Sequence, residues 1–191
     1  MKRIYFALGS FIGLPIFLVL YLLVKVPLMA AALVGLAYAV VYIAVAWRAG
    51  YLTKLDWAVL AYFLTGSVLL LVHEPSGRFV LSDHSTTFIF LSLFCAAFFP
   101  VVLGFEPFTV AFARRTTSPE VWETALFKDI NRIMTLTWAG LFLVAAAISL
   151  NRHPVFQYVI PTLMPPILGI PFNRRFPEWY LKRLGQQGTP K

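Results

Sequence analysis

Apolar residues occur in runs of about 18 to 22, the length that an α-helix needs to cross a hydrocarbon core of about 30 Å. Six such runs follow one another along the chain, at about residues 4–24, 27–47, 55–73, 86–104, 132–150 and 155–172. The sequence therefore predicts an all-α fold: a polytopic integral membrane protein with one domain of six transmembrane helices over residues 1–172.

The composition argues against a water-soluble domain. Only 13% of the residues are charged and 60% are hydrophobic, whereas a soluble domain carries about 25% charged residues. The net charge of +8 could indicate nucleic-acid binding, but the basic residues lie at the ends of the apolar runs, where membrane topology places them. Membrane lipids are therefore predicted partners, and nucleic acid is not.

The distribution of Lys and Arg predicts the orientation. With the amino terminus inside, 13 of the 16 Lys and Arg residues lie on the inner side, and the remaining three, Lys25, Arg78 and Arg152, lie outside. An excess of this kind is typical of cytoplasmic loops. We therefore predict that both termini are cytoplasmic and that residues 173–191 form a basic cytoplasmic tail.

The sixth run is interrupted by prolines, which remove backbone hydrogen bonds and bend helices. If this run failed to cross, the basic tail would lie outside and the charge bias would vanish. We therefore predict a complete but kinked sixth span, with a hinge at Pro161, Pro165 and Pro166.

The segment between the fourth and fifth runs predicts an interfacial amphipathic helix over about residues 117–131. Pro119 suits a first helical turn, and Glu120 and Glu123 complement the positive end of the helix dipole. Trp122 and the apolar residues that follow it share one helical face. Such a helix would lie at the level of the cytoplasmic headgroups, and a water-exposed cap is the alternative.

All three histidines fall on the predicted outer side, and two of them adjoin a carboxylate. Imidazole and carboxylate are good ligands for zinc, copper or iron. Their spacing matches no ligand motif, so ordinary loop histidines are the alternative. The candidate ligands of a metal ion or haem are His73, Glu74, Asp83, His84 and His153.

Two arginine pairs on the predicted inner side, Arg114-Arg115 and Arg174-Arg175, are candidates for contact with anionic lipid headgroups, with Trp122 near the first pair. Setting the topology is their alternative role.

The spans contain few groups that could carry catalysis. Asp, Glu, Lys and Arg are missing from the middle of every predicted span, and the motifs of serine hydrolases, zinc proteases, dithiol enzymes and P-loop proteins do not occur. Because buried ionisable groups mark ion and proton pathways, this scarcity argues against an ion-coupled pump but permits a carrier for a lipid or an apolar molecule. No motif predicts a catalytic residue or requires a cofactor.

From the fourth run into the fifth, Pro107-Phe108 is followed by a linker containing Trp122 and then by an apolar sequence from Leu136 to Phe142. In this layout, residues 14–150 resemble the intracellular septation protein A family of bacterial inner-membrane proteins. The proline-rich sixth run and the tail lie outside the resemblance. It implies a bacterial inner-membrane location and a role in envelope organisation or division, and it implies no catalytic residue.

The leading functional hypothesis is a non-enzymatic inner-membrane protein that acts in cell-envelope organisation or division through helix–helix contacts, with other membrane proteins or a second copy as partners. A small carrier or lipid-handling protein is the first alternative, indicated by the proline-broken last run and the neutral polar residues of the spans. A membrane redox or metal protein that uses the outer histidines is the second.

Overall fold

The computed structural model describes residues 9–50 and 52–187, and every regular element among them is helical. The α-helices are α1 (Gly9–Leu18), α2 (Leu28–Arg48), α3 (Lys54–Val72), α4 (Glu74–Arg78), α5 (Ser85–Val102), α6 (Val110–Ala113), α7 (Ala125–Ile148) and α8 (Ile160–Gln187). Three of the connections contain π-helical segments: Val19–Leu23 follows α1, Phe79–Asp83 follows α4, and Val155–Val159 precedes α8. A 3-10 turn at Pro119–Val121 precedes α7.

Five helices in the described residues are long and apolar enough to cross a membrane: α2, α3, α5, α7 and the continuous helix Val155–Leu184. The all-α prediction is confirmed, and these five coincide with the second to sixth predicted spans. The first predicted span appears as the shorter apolar helix Ile12–Leu23, and its residues 4–8 lie outside the described part.

The long helices form an open row in which each packs mainly against its neighbours in the chain. Helix α1 packs on α2, α2 on α3, α3 on α5, α5 on α7 and α7 on α8. Between α2 and α3, a Cβ atom built on Gly35 would lie 2.5 Å from the ring of Phe63, which is fully buried. Small residues allow helix backbones to approach closely in a membrane, where van der Waals packing drives association.

The segment between α3 and α5 is helical over most of its length. Helix α4 and the π-helical segment after it pack back against α3: the Tyr62 hydroxyl lies 3.4 Å from the carbonyl oxygen of Val80, and Leu81 is completely buried. A Cβ atom on Gly77 would overlap the backbone of Leu70. Because glycine has no side chain, Gly77 allows this short helix to lie close to α3.

The interfacial helix predicted over residues 117–131 is not present as a separate element. Residues Pro119–Val121 form a 3-10 turn, and α7 begins at Ala125 and continues without interruption to Ile148. The backbone of Thr124 is extended (φ −67°, ψ 143°), and its hydroxyl accepts a hydrogen bond from the Phe127 amide. This N-cap separates the turn from α7. The amphipathic residues after it, over 125–131, therefore form the first part of α7, the helix that contains most of the fifth predicted span.

The last helix continues beyond the predicted sixth span. The π-helical segment and α8 run from Val155 to Gln187, so the segment predicted as a basic tail over residues 173–191 is helical as far as Gln187. Pro161 and Pro165 are buried, whereas Pro166 is partly exposed. The predicted hinge residues therefore lie within helix, at its π-to-α transition and in the following turns.

Candidate functional site

The connections between helices lie at two ends of the row. The first, which we call the basic end, holds the connection from α2 to α3 and the loop after α5. There the Lys54 ammonium donates to the carbonyl oxygen of Glu106 (2.5 Å). At the second, which we call the histidine end, the hydroxyls of Thr87 and Ser149 share a hydrogen bond of 2.7 Å. The Gln157 side chain donates to the carbonyl oxygen of Asp83 at the same end. The groups that could bind a ligand are concentrated at these ends.

A cleft of about 620 Å³ opens at the basic end, between the end of α5, the loop after it and the start of α7. We call it the basic-end cleft. Gly104, with φ +77°, turns the chain from α5 into the loop. One part of the lining is apolar and the other is charged. The apolar residues include Val101, Val102, Phe105 and Phe127, and the charged residues are Glu106, Arg114, Glu123, Lys128, Asp129 and Arg132.

The loop that forms one wall is anchored to α7 through Thr109. The Thr109 hydroxyl donates to the carbonyl oxygen of Asn131 (2.8 Å) and lies 2.8 Å from the Thr135 hydroxyl. The Asn131 side chain in turn donates to the Phe127 carbonyl oxygen (2.8 Å). Thr109, Asn131 and Thr135 are all buried, and buried polar groups that bond one another hold their backbones in one arrangement.

Arg114 is held between a carboxylate and an aromatic ring. Its two terminal nitrogens contact the two oxygens of Glu106 at 2.5 and 3.3 Å, in the forked geometry that guanidinium and carboxylate groups favour. The guanidinium carbon also lies 5.3 Å from the centre of the Trp122 ring, within the range of a cation–π contact. The indole N–H of Trp122 donates to the Thr117 hydroxyl (3.2 Å).

Two further cations at the cleft differ in their partners. Lys128 forms an exposed ion pair with Glu123 (2.7 Å), and the hydrogen bond from Lys128, together with its charge, lowers the pKa of Glu123. Arg132 has no ion-pair partner among the residues that the structure describes. The guanidinium of Arg132 is therefore free to bind an anion in the cleft. The guanidinium of Arg114 is already held by Glu106 and Trp122.

The predicted lipid-contact residues separate into two groups. Arg114 and Trp122 line the cleft, and Arg115 follows Arg114 with its guanidinium 5.0 Å from the ring of Phe112. Arg174 and Arg175 are exposed on α8 and do not line the cleft. Sequence reasoning missed Arg132 and Thr109 as parts of this site, because only the fold brings the loop, the 3-10 turn and α7 together.

Four of the five candidate metal ligands have other side-chain partners at the histidine end. His73 Nδ1 lies 2.7 Å from the Ser76 hydroxyl, and Glu74 pairs with Arg78 at 2.7 Å. The rings of His84 and His153 pack edge-on against Phe79 and Phe156. Within residues 9–50 and 52–187, no three His, Cys, Asp or Glu side chains come together in a group that could hold a metal ion. The structure thus does not gather the five candidates into one centre.

Comparison with protein-family models, curated proteins and solved structures finds no match for this chain.

Proposed function

We propose that this chain is a non-enzymatic, lipid-handling membrane protein that binds an anionic phospholipid in the basic-end cleft. The observation that carries the proposal is the division of the cleft into an apolar part and a charged part. A phospholipid has the same division, between its acyl chains and its phosphate. The volume of about 620 Å³ lies within the range of about 300 to 1,000 Å³ that is usual for sites of small molecules.

Arg132 supplies the principal attraction for the phosphate in this proposal. Its guanidinium has no carboxylate partner in the described part of the chain, and a basic group near an anionic surface contributes about 1 kcal/mol to lipid binding. Arg114 completes the charged wall, because Glu106 and Trp122 hold it in place. Val101, Val102 and Phe105 provide the surface for the upper part of an acyl chain.

The proposal is tested by measuring which lipids the protein retains. The purified protein is placed in nanodiscs that contain phosphatidylglycerol and phosphatidylcholine in equal amounts, and the lipids that remain bound on mild release are counted by native mass spectrometry. We expect the wild type to retain phosphatidylglycerol preferentially. Arg132→Gln should lower that preference about fivefold, as expected for the loss of about 1 kcal/mol.

Lys182→Gln is the matched control, because it removes one positive charge from an exposed position of α8 outside the cleft. It should retain phosphatidylglycerol as the wild type does. Equal losses in the two variants would show that net charge alone attracts the lipid, and equal retention of the two lipids by the wild type would also overturn the proposal.

Contacts with other membrane proteins, in envelope organisation or division, are a second candidate function. The supporting observation is the exposed apolar surface of α8, which includes Leu163, Ile167 and Leu168, on a helix that packs mainly against α7. Cross-linking from position 167 in native membranes tests it, and a failure to capture any protein or second copy would exclude it.

The orientation and location that go with both functions are proposals as well. The positive-inside pattern supports a topology with six spans and both termini in the cytoplasm, and it would place the basic-end cleft at the cytoplasmic leaflet. A bacterial inner membrane is the location that the family resemblance suggests.

A further inference from the structure

A second cleft, of about 540 Å³, lies at the histidine end of the row. It is formed where the π-helical segment after α1 turns into α2, beside α4. Its charged lining residues are Lys25 and Arg78, two of the three basic residues that the sequence places at this end. Leu22, Val26 and Leu28 form its apolar part, and Tyr21 adds a hydroxyl-bearing ring. This histidine-end cleft shares no lining residue with the basic-end cleft.

The walls of this cleft are joined by specific contacts. The Tyr21 hydroxyl and the Ser82 hydroxyl are 2.8 Å apart, which connects the end of the first helix to the segment after α4. The Tyr21 ring stacks on Phe17, with ring centres 6.0 Å apart. Close packing of Gly77 on Leu70 fixes α4 itself. The two cations are therefore carried by elements whose positions are set by packing.

Lys25 has a backbone conformation that its side chain does not favour. Its φ of +57° is the left-handed conformation, which glycine and asparagine adopt more readily than other residues. A turn alone would be served at least as well by glycine. Strained residues of this kind are concentrated at binding sites, and Lys25 has no ion-pair partner within the part of the chain that the structure describes.

Arg78 has donor capacity beyond its ion pair. Its Nε and one terminal nitrogen both contact the same oxygen of Glu74, at 2.8 and 2.7 Å, so the other terminal nitrogen takes no part in that pair. The hydrogen bond and the charge of Glu74 raise the pKa of Arg78, and a guanidinium is protonated at neutral pH in any case. A bound anion could thus contact the Lys25 ammonium and the outer edge of Arg78 together.

We propose that the histidine-end cleft binds the phosphate of a phospholipid headgroup, with Lys25 and Arg78 as its cationic contacts. The apolar lining favours a lipid over a free phosphate ion. Leu22, Val26 and Leu28 can contact the acyl chain of a lipid, whereas an inorganic anion beside them would lose water without gaining a polar contact. The site lies at the opposite end from the basic-end cleft and does not depend on lipid binding there. The protein would then hold one phospholipid in each leaflet.

The experiment uses the conformation of Lys25 to separate binding from folding. Lys25→Gly removes the ammonium but relieves the left-handed strain, so we expect its thermal midpoint to equal or exceed that of the wild type. In phosphatidylglycerol-containing nanodiscs, the fraction of the protein that native mass spectrometry finds with two bound lipids should fall about fivefold. Arg78→Gln should show the same loss. Lys25→Arg keeps the positive charge and should retain the lipid as the wild type does.

Arg152→Gln is the matched control, because it removes the third basic residue of this end and does not line the cleft. It should leave retention unchanged. Combining Lys25→Gly with Arg132→Gln distinguishes the two clefts: two independent sites lose two lipids in the double variant and one in each single variant. If only Arg132→Gln loses a lipid, the basic-end cleft binds a phospholipid and the histidine-end cleft does not.

A free anion is tested separately, by adding inorganic phosphate or glycerol 3-phosphate to protein in a neutral detergent. We expect neither to raise the thermal midpoint. Suppose that these ions stabilise the wild type, that Lys25→Gly abolishes the stabilisation, and that lipid retention is the same in both proteins. That result would identify a site for a soluble phosphate and overturn the assignment to a lipid. Unchanged retention in Lys25→Gly, and in Lys25→Asn should the glycine variant not fold, would also overturn it.

Discussion

Single side chains, or their absence, determine how closely the helices pack. Gly35 admits the buried ring of Phe63, and Gly77 lies so close to Leu70 that a Cβ atom there would overlap backbone. Overlap with backbone cannot be relieved by rotating a side chain, so α4 would have to move. The four-residue spacing of Ala31, Gly35 and Ala39 makes the first contact predictable from the sequence, and all three residues are buried. Gly77 shows no such pattern.

We therefore expect Gly77→Ala to lower the free energy of unfolding by about 1 to 3 kcal/mol, the usual effect of overpacking. Gly140→Ala is the matched control, because apart from its chain neighbours and the nearby backbone of its own helix no atom lies within 4 Å of the position of its Cβ. Alanine also favours helix over glycine by about 1 kcal/mol. Thermal unfolding in one detergent compares the two variants. Equal midpoints would contradict the close approach of α4 to α3.

The elements at the basic end show where sequence reasoning succeeds and where it fails. Apolar run length predicts α2, α3, α5, α7 and the last helix well, because crossing lipid requires a minimum length of helix. Amphipathic periodicity alone cannot place the start of α7, because the same amphipathic pattern continues on both sides of Thr124. Only the N-cap at Thr124 separates the 3-10 turn from the helix. The cleft could not be predicted, since Glu106, Arg114 and Arg132 come from three separate segments.

The loop that carries Glu106 depends on Thr109, so Thr109→Val should loosen it while preserving side-chain shape. The variant removes the hydroxyl's two buried bonds, to the Asn131 carbonyl oxygen and the Thr135 hydroxyl, and a hydrogen bond of this kind contributes about 0.5 to 1.5 kcal/mol to stability. The longer contact from the Thr109 amide to the Thr135 hydroxyl (3.5 Å) remains. Hydrogen exchange should rise in residues 103–116. Thr137→Val, whose hydroxyl bonds only to its own helix at Ile133, is the control, and equal exchange in both would contradict the anchoring role.

Considered whole, the molecule is a row of helices with extensive apolar surface exposed on its long elements. Cys95, the single cysteine of the chain, lies in α5 and its side chain is exposed. In a membrane, that exposure is to lipid tails.

We therefore expect Cys95 in intact membranes to react with an apolar maleimide that partitions into lipid, and to resist a charged, membrane-impermeant maleimide. Ser76→Cys in a Cys95→Ala background should react with both reagents when its side of the membrane is accessible, because Ser76 lies in α4 at the histidine end. Labelling is measured by the mass of the intact protein. Rapid reaction of Cys95 with the charged reagent would show that water reaches this part of α5.

Because each long helix packs mainly against its neighbours in the chain, most contacts join segments that are close in the chain. Topologies dominated by local contacts assemble quickly, and here the order of packing is also the order of synthesis. A helix emerging from the ribosome meets a partner that is already in the membrane, so assembly can proceed stepwise during translation. Truncated chains that end after α3 or after α7 would then keep their earlier helix pairs, and the protein would be built by extension from one end.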